Sequence, residues 1–277
     1  MVPVGPPEAT RPATAPGGHE LSTPEDLPDR LEAGERPGSQ VTVKARTGPV
    51  LACFAHPDDM EIGVGGLMAR WRAEGRAVHL LILTNGDRGS QDPELDRPGL
   101  ARTRIEEQRA AGAVLGLTDF QILGTPDGEL VNTREVQVAV ARAVRRIRPD
   151  TVVTCDPTAV FLGNRYYNHS DHRNAGWATL DGVFPGAGNP HFFEELLGEG
   201  LQPWDVPQIY LCWSNEPNTY EDITGHLDTK LAALAEHASQ LDEGIAPFEK
   251  WLRAEAADHG KRIGVEQAEA FRVLELE

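Results

Sequence analysis

At 277 residues the chain is long enough for one large domain with a buried core. Its 43 acidic against 26 basic side chains leave a formal charge of -17, which repels phosphate backbones and anionic lipids, so neither nucleic acid nor a membrane is expected as a partner. Apolar stretches such as those at 78–83 and 151–155 fall far short of the roughly 20 residues of a spanning helix.

Residues 1–40 are crowded with Pro, Gly, Ala, Glu and Thr and show no apolar period, which predicts a flexible tail ahead of a single domain at 41–277. The N-terminus has neither the basic start nor the apolar stretch of a secretion signal, so a cytoplasmic protein is expected. The run 49–55 is nearly all apolar and suits a strand covered on both faces. A helix is predicted at 63–74, a buried strand at 76–84, a helix at 102–115 and a short strand at 120–123. The helix predicted at 133–148 carries Val136, Val140, Val144 and Ile147 on one stripe and is closed by Pro149. A strand at 151–155 follows, then a stretch of loops over 156–207 relieved only by a helical segment at 174–183, then a strand at 208–213. Strands alternating with helices define an α/β fold with a mostly parallel sheet, whose site lies at the carboxyl ends of the strands. Cys53, Cys155 and Cys212 each sit in apolar runs without close spacing, as buried thiols do.

Two motifs fall where that rule places a site. The first, Ala55-His56-Pro57-Asp58-Asp59-Met60-Glu61, leaves the first buried strand. His56 and Asp59 can reach one ion across the turn at Pro57, and catalytic zinc sites use three protein ligands with one position left for water. Asp58 points elsewhere, where a general base for the attacking water would sit. The plainer reading makes these aspartates helix caps. The second motif, Tyr167-Asn168-His169-Ser170-Asp171-His172-Arg173, follows the strand at 151–155 and supplies a third ligand and a partner that orients it. A histidine pair in a loop is otherwise an ordinary surface feature.

These residues resemble the LmbE-like, or PIG-L, family of zinc-dependent N-deacetylases, marked by A-H-P-D-D-x-E early in the domain and H-x-D-H, commonly H-P-D-H-R, later in it. Ser170 replaces the usual proline, and the resemblance spans about 48–277. It implies a Rossmann-like three-layer domain with His56, Asp59 and His172 holding one Zn2+ per chain, although Fe2+ or Co2+ accepts the same donors. It further implies Asp58 as general base and His169 as the group that stabilises the oxyanion or protonates the leaving amine. Asp171 would orient one of the two histidines, and Tyr167 would help polarise the carbonyl. Arg104 and Asp127 match positions that contact substrate and sugar hydroxyls. Each has a structural competitor: an ion pair of Arg104 with Glu107 along a helix, and a turn at Asp127-Gly128. The implied substrate is a small N-acetylated sugar-type molecule, and a homo-oligomer is compatible with the family.

Other readings fare worse. Gly63-Val-Gly-Gly66 is not G-x-G-x-x-G, so a dinucleotide site is disfavoured, and the glycines instead suit close packing of the first helix. No G-x-S-x-G is present for a serine hydrolase. A non-catalytic metal-binding relative and an amidase for a larger thiol or sugar conjugate remain as alternatives. His237 matches a recurring family position to which the sequence assigns no role.

Overall fold

The short apolar runs become the centre of one twisted sheet. The computed structural model describes residues 41–276 apart from 163, 165, 242 and 243, so the tail expected at 1–40 lies outside the described residues. In chain order the elements are β1 (Val50–Phe54), α1 (Asp59–Ala73), β2 (Val78–Thr84), α2 (Arg97–Leu115), β3 (Asp119–Thr125), α3 (Arg134–Ile147) and β4 (Thr151–Cys155). Then follow the small hairpin β5 (Phe161–Leu162) and β6 (Tyr166–Tyr167), α4 (Ser170–Asp181), α5 (Glu195–Gly198), β7 (Gln208–Cys212), β8 (Thr219–Asp222), α6 (Leu227–Ala235), α7 (Ala246–Ile263) and β9 (Ala268–Glu275).

The seven-stranded sheet has the order β3-β2-β1-β4-β7-β9-β8. Its first five strands are parallel, and β9 runs antiparallel between β7 and β8. Because side chains alternate across a strand, Val50, Ala52 and Phe54 of β1 enter one core with Leu67 of α1, Leu115 of α2, Leu231 of α6 and Leu252 of α7. Leu51 and Cys53 enter the other, with Val140 and Val144 of α3 and Ala175 of α4. The expected three-layer α/β architecture is therefore present. The chain winds outward from β1 to β3, then crosses through α3 to β4 on the far side of β1, so the strand order reverses between β1 and β4 and opens a crevice at their carboxyl ends.

Three helices begin earlier than the apolar period indicated: α1 at Asp59 rather than Gly63, α2 at Arg97 rather than Arg102, and α4 at Ser170 rather than Asn174. In α4 the extra turn is built from polar site residues, and in α1 Asp59 and Glu61 alternate with Met60 and Ile62, so both interrupt the helical period. The glycines of α1 serve close packing, as expected. A Cβ on Gly66 would stand 2.6 Å from Ile223 Cδ1, and one on Gly65 would stand 2.9 Å from Lys230 Cγ of α6. All three cysteines are free and buried, and burial pushes the Cys53 thiol up to about 12, where it is inert. Among the described residues no helix is long and apolar enough to cross a membrane.

Candidate active site

His56 leaves β1, and Asp59 opens α1 three residues later. The Asp59 Oδ2 accepts the backbone N–H of His56 at 2.8 Å and lies 3.3 Å from His56 Nδ1, while its Oδ1 lies 3.1 Å from Nε2 of His172 in the first turn of α4. His172 Nδ1 stands 3.0 Å from Asn168 Oδ1, which fixes the ring with its Nε2 facing Asp59. On the far side of His56, Nε2 meets Asp127 Oδ1 at 3.2 Å and Asp171 Oδ2 at 3.3 Å. Asp171 is fixed in turn by the Gly128 N–H at 2.7 Å.

This set fits a metal. The donor atoms of His56, Asp59 and His172 all lie within 4.8 Å of one another. Carboxylates on the second nitrogen of His56 are the usual companions of a metal-bound imidazole. Burial works against charge at Asp59, but the His172 and His56 rings hold its carboxyl well below the usual range. Burial likewise lowers His56, and the Asp59, Asp127 and Asp171 carboxylates outweigh it, so this ring is pushed well above its ordinary value.

Asp58 and His169 flank the trio without joining it. Asp58 occupies the position just before α1 with a left-handed backbone, φ +93°, and its side chain makes no capping bond, which removes the helix-cap reading. Its carboxylate instead takes a bond from Arg104 Nη2 at 3.1 Å. Burial raises its pKa to about 6 against the opposing pull of Arg104. His169 precedes α4, and its Nδ1 accepts the Asp171 N–H at 3.2 Å, which leaves the proton of the neutral ring on Nε2. Burial and the neighbouring His56 lower its pKa.

Most of the expected residues converge here, with three refinements. Arg104 does not pair with Glu107. Its guanidinium is buried and donates to Pro57 O at 2.7 Å and Gly86 O at 2.9 Å, while Glu107 accepts from Ser239. The Asp171 carboxylate contacts His56, and only its backbone touches His169. Tyr167 is not brought to the site: it is 60% exposed and its hydroxyl accepts from Arg173 Nη2 at 3.0 Å. Neighbours on a strand face opposite ways, so Tyr166, itself 52% exposed, turns toward the cavity side. It helps line a cavity of about 660 Å³ that also reaches Asp59, His172 and Trp213.

Sequence reasoning missed a buried polar chain behind Asp58. The Asp58 N–H donates to Gln108 Oε1 at 3.2 Å, Gln108 Nε2 donates to Glu61 Oε1 at 2.8 Å, and Glu61 Oε2 faces His237 Nε2 at 3.6 Å. This supplies the surroundings of His237, which is fully buried. The available signal was on α2, where Arg104, Gln108, Ala111 and Leu115 form the buried stripe, so polar residues occupy positions that packing alone would make apolar.

The switch-point crevice and its His-Asp-His set define an α/β protein with a candidate mononuclear metal site. Residues 51–182 match the PIG-L family, GlcNAc-PI de-N-acetylase. The chain is 34% identical over 226 residues to diacetylchitobiose deacetylase of Thermococcus kodakarensis, covering 81% of this chain and 82% of that protein. It is 26% identical to the 1D-myo-inositol 2-acetamido-2-deoxy-alpha-D-glucopyranoside deacetylase of Kineococcus radiotolerans, over 85% of this chain and 81% of that one. Its structure is similar to that of N,N'-diacetylchitobiose deacetylase from Pyrococcus horikoshii in complex with an inhibitor, with a TM-score of 0.75, 32% identity, and coverage of 82% and 84%. The chain belongs to the PIG-L, or LmbE-like, family.

Proposed function

We propose that this protein is a metal-dependent N-deacetylase, with zinc as the metal, that releases acetate from an N-acetylated amino sugar or a small conjugate of one. The observation that carries this reading is the pairing of a metal-competent trio with two adjacent groups outside it, Asp58 and His169. A storage or structural site has no need of a buried carboxylate and an imidazole held beside its ligands. The relatives' own substrates, diacetylchitobiose and an N-acetylglucosaminyl inositol, support the sugar amide.

His56, Asp59 and His172 would hold the cation, which supplies Lewis acidity toward a water and an amide carbonyl when bound. With a pKa of about 6, Asp58 is ionised at neutral pH and takes the proton of the attacking water. His169, neutral and carrying its proton on Nε2, donates a hydrogen bond to the developing oxyanion. The proton gained by Asp58 then passes to the leaving nitrogen. Arg104 donates through Nη1 and Nη2 to Gly86, Pro57 and Asp58 and so orients the base, and Asp127 orients His56.

Metal analysis coupled to amine release from N-acetylglucosamine, diacetylchitobiose and N-acetylglucosaminyl inositol tests the reading. Equimolar metal with turnover is expected. Asp58→Asn should retain the metal and lose roughly a thousandfold in kcat. His172→Ala should lose the metal itself. Near wild-type turnover by Asp58→Asn would sink the assignment of the base, and tight metal without amine release from any amide would leave a binding protein.

A further inference from the structure

The cavity beside the trio is far larger than an acetyl group requires. It measures about 660 Å³, whereas the methyl of an acetyl group is about the size of one water, whose share of the liquid is roughly 30 Å³. Its walls include Ile62, Leu162, Trp213, Phe248, Trp251 and Leu252. The Lys230–Glu269 pair that also borders it is bonded within itself at 2.6 Å, and Glu269 further accepts the N–H groups of Gly66 and Leu67. The lining is thus dominated by apolar and aromatic surface, the opposite of a site built to read many hydroxyls.

Its position relative to the reacting groups is informative. The cavity approaches from the His172 side, where the Trp213 ring lies 5.1 Å from that of His172. Polar groups gather beside His56: Asp127 is 3.2 Å from His56 Nε2, and Arg104 lies between Asp127 and Asp58 at 3.9 and 3.1 Å, while the His169 ring stands between the two flanks, 5.0 Å from that of His56 and 5.6 Å from that of His172. A trans amide sends its acyl chain and its nitrogen substituent in opposite directions from the C–N bond. An amine held on the His56 flank, near Asp58 and Asp127, therefore directs the acyl group toward the His172 flank and into the cavity.

We propose that this cavity is an acyl-chain subsite, and that the protein hydrolyses amino sugars carrying a medium-length straight-chain fatty acyl group on nitrogen. The inference rests on the deacylase reading above and extends it from the sugar to the acyl group. Water adds to the carbonyl carbon, the C–N bond breaks, its proton goes to nitrogen, and the products are a fatty carboxylate and the free amino sugar. Each methylene withdrawn from water into this lining adds binding that the acetyl substrate cannot use.

Two measurements on the full chain test it. The first compares kcat/KM for N-acetyl-, N-butanoyl-, N-octanoyl- and N-decanoylglucosamine. A rise with chain length, reaching roughly tenfold or more for decanoyl over acetyl, is expected. Trp251→Glu, at a half-exposed wall position, should lower the decanoyl-to-acetyl ratio by about the same factor, and Phe248→Glu should move it the same way. The second follows tryptophan fluorescence during titration with decanoate, and a saturable change absent with acetate is expected because Trp213 and Trp251 line the cavity. Cleavage of the acetyl substrate with falling rates for longer chains overturns the subsite while leaving the deacetylase intact. A saturable response to a chitin disaccharide but not to decanoate assigns the cavity to a second sugar and likewise overturns it. Cleavage of no member of the series refutes the deacylase reading itself, and the substrate role of the cavity with it.

Discussion

Asp58 holds a backbone conformation that costs an ordinary L-residue roughly 1–2 kcal/mol, and the protein surrounds it to keep it there. Gln108 takes its N–H, while Arg104 takes the carbonyl before it and its carboxylate. The left-handed turn sends the Asp59 carboxylate to the ligand trio and leaves the neighbouring Asp58 carboxylate outside it. Its titration gives a direct check. Burial raises the carboxyl to about 6, and a divalent cation on the adjacent trio would draw it back down, so the base-competent anion is lost as pH falls through 6 or somewhat below. The acid limb of kcat/KM should fall in that range and be absent from the residual activity of Asp58→Asn. A limb that survives the substitution would belong to another group. His56, Asp58, Asp59, His169 and His172 were legible because both motifs leave strand ends. Gln108, Glu61 and His237 were not, because each acquires its role from a partner at least 47 residues away or reached through one. Tyr167 was misplaced for a local reason: a two-residue strand sends adjacent tyrosines to opposite sides, and the apolar pattern does not say which turns inward.

At the scale of elements, α1 carries the close packing that holds the first motif in place. Gly66→Val should destabilise by about 1–3 kcal/mol, since its Cβ must displace Ile223 or Glu269. In a chain of this size that lowers the melting temperature by roughly 2–4 °C per kcal/mol, readable by calorimetry. An unchanged melting temperature would mean that α6 yields easily. The parallel half of the fold was legible because β1, β2, β4 and β7 are continuous apolar runs and α3 has a regular valine stripe. The stretch beyond β7 was not. β8 spans four residues, α6 nine, and the buried positions of α7 are Leu252, Ala256 and Gly260, of which two are too small to register as a stripe. That weakly patterned region supplies Phe248, Trp251 and Leu252 to the cavity, so the surface that distinguishes acyl groups was the part least visible in the sequence.

Across the whole molecule, the trio ties together the ends of two separately built halves: His56 and Asp59 follow β1, and His172 stands on α4 beyond β4. A cation bound there favours only the folded chain, and at a hundredfold excess over its dissociation constant contributes about 2.7 kcal/mol. Chelation should therefore lower the melting temperature by roughly 5–10 °C, with recovery on adding zinc. A melting curve indifferent to chelator would speak against a resident metal. The order of the strands has a consequence for synthesis as well. β7 ends at Cys212, but the partner that lies against its open edge, β9, begins at Ala268. At about 5–20 residues per second the ribosome needs roughly 3–11 s to make the intervening chain, and throughout that interval β7 exposes an unpaired apolar edge next to a finished parallel core. Nascent chains stalled between these strands are the ones most prone to pair with one another, and most dependent on chaperones.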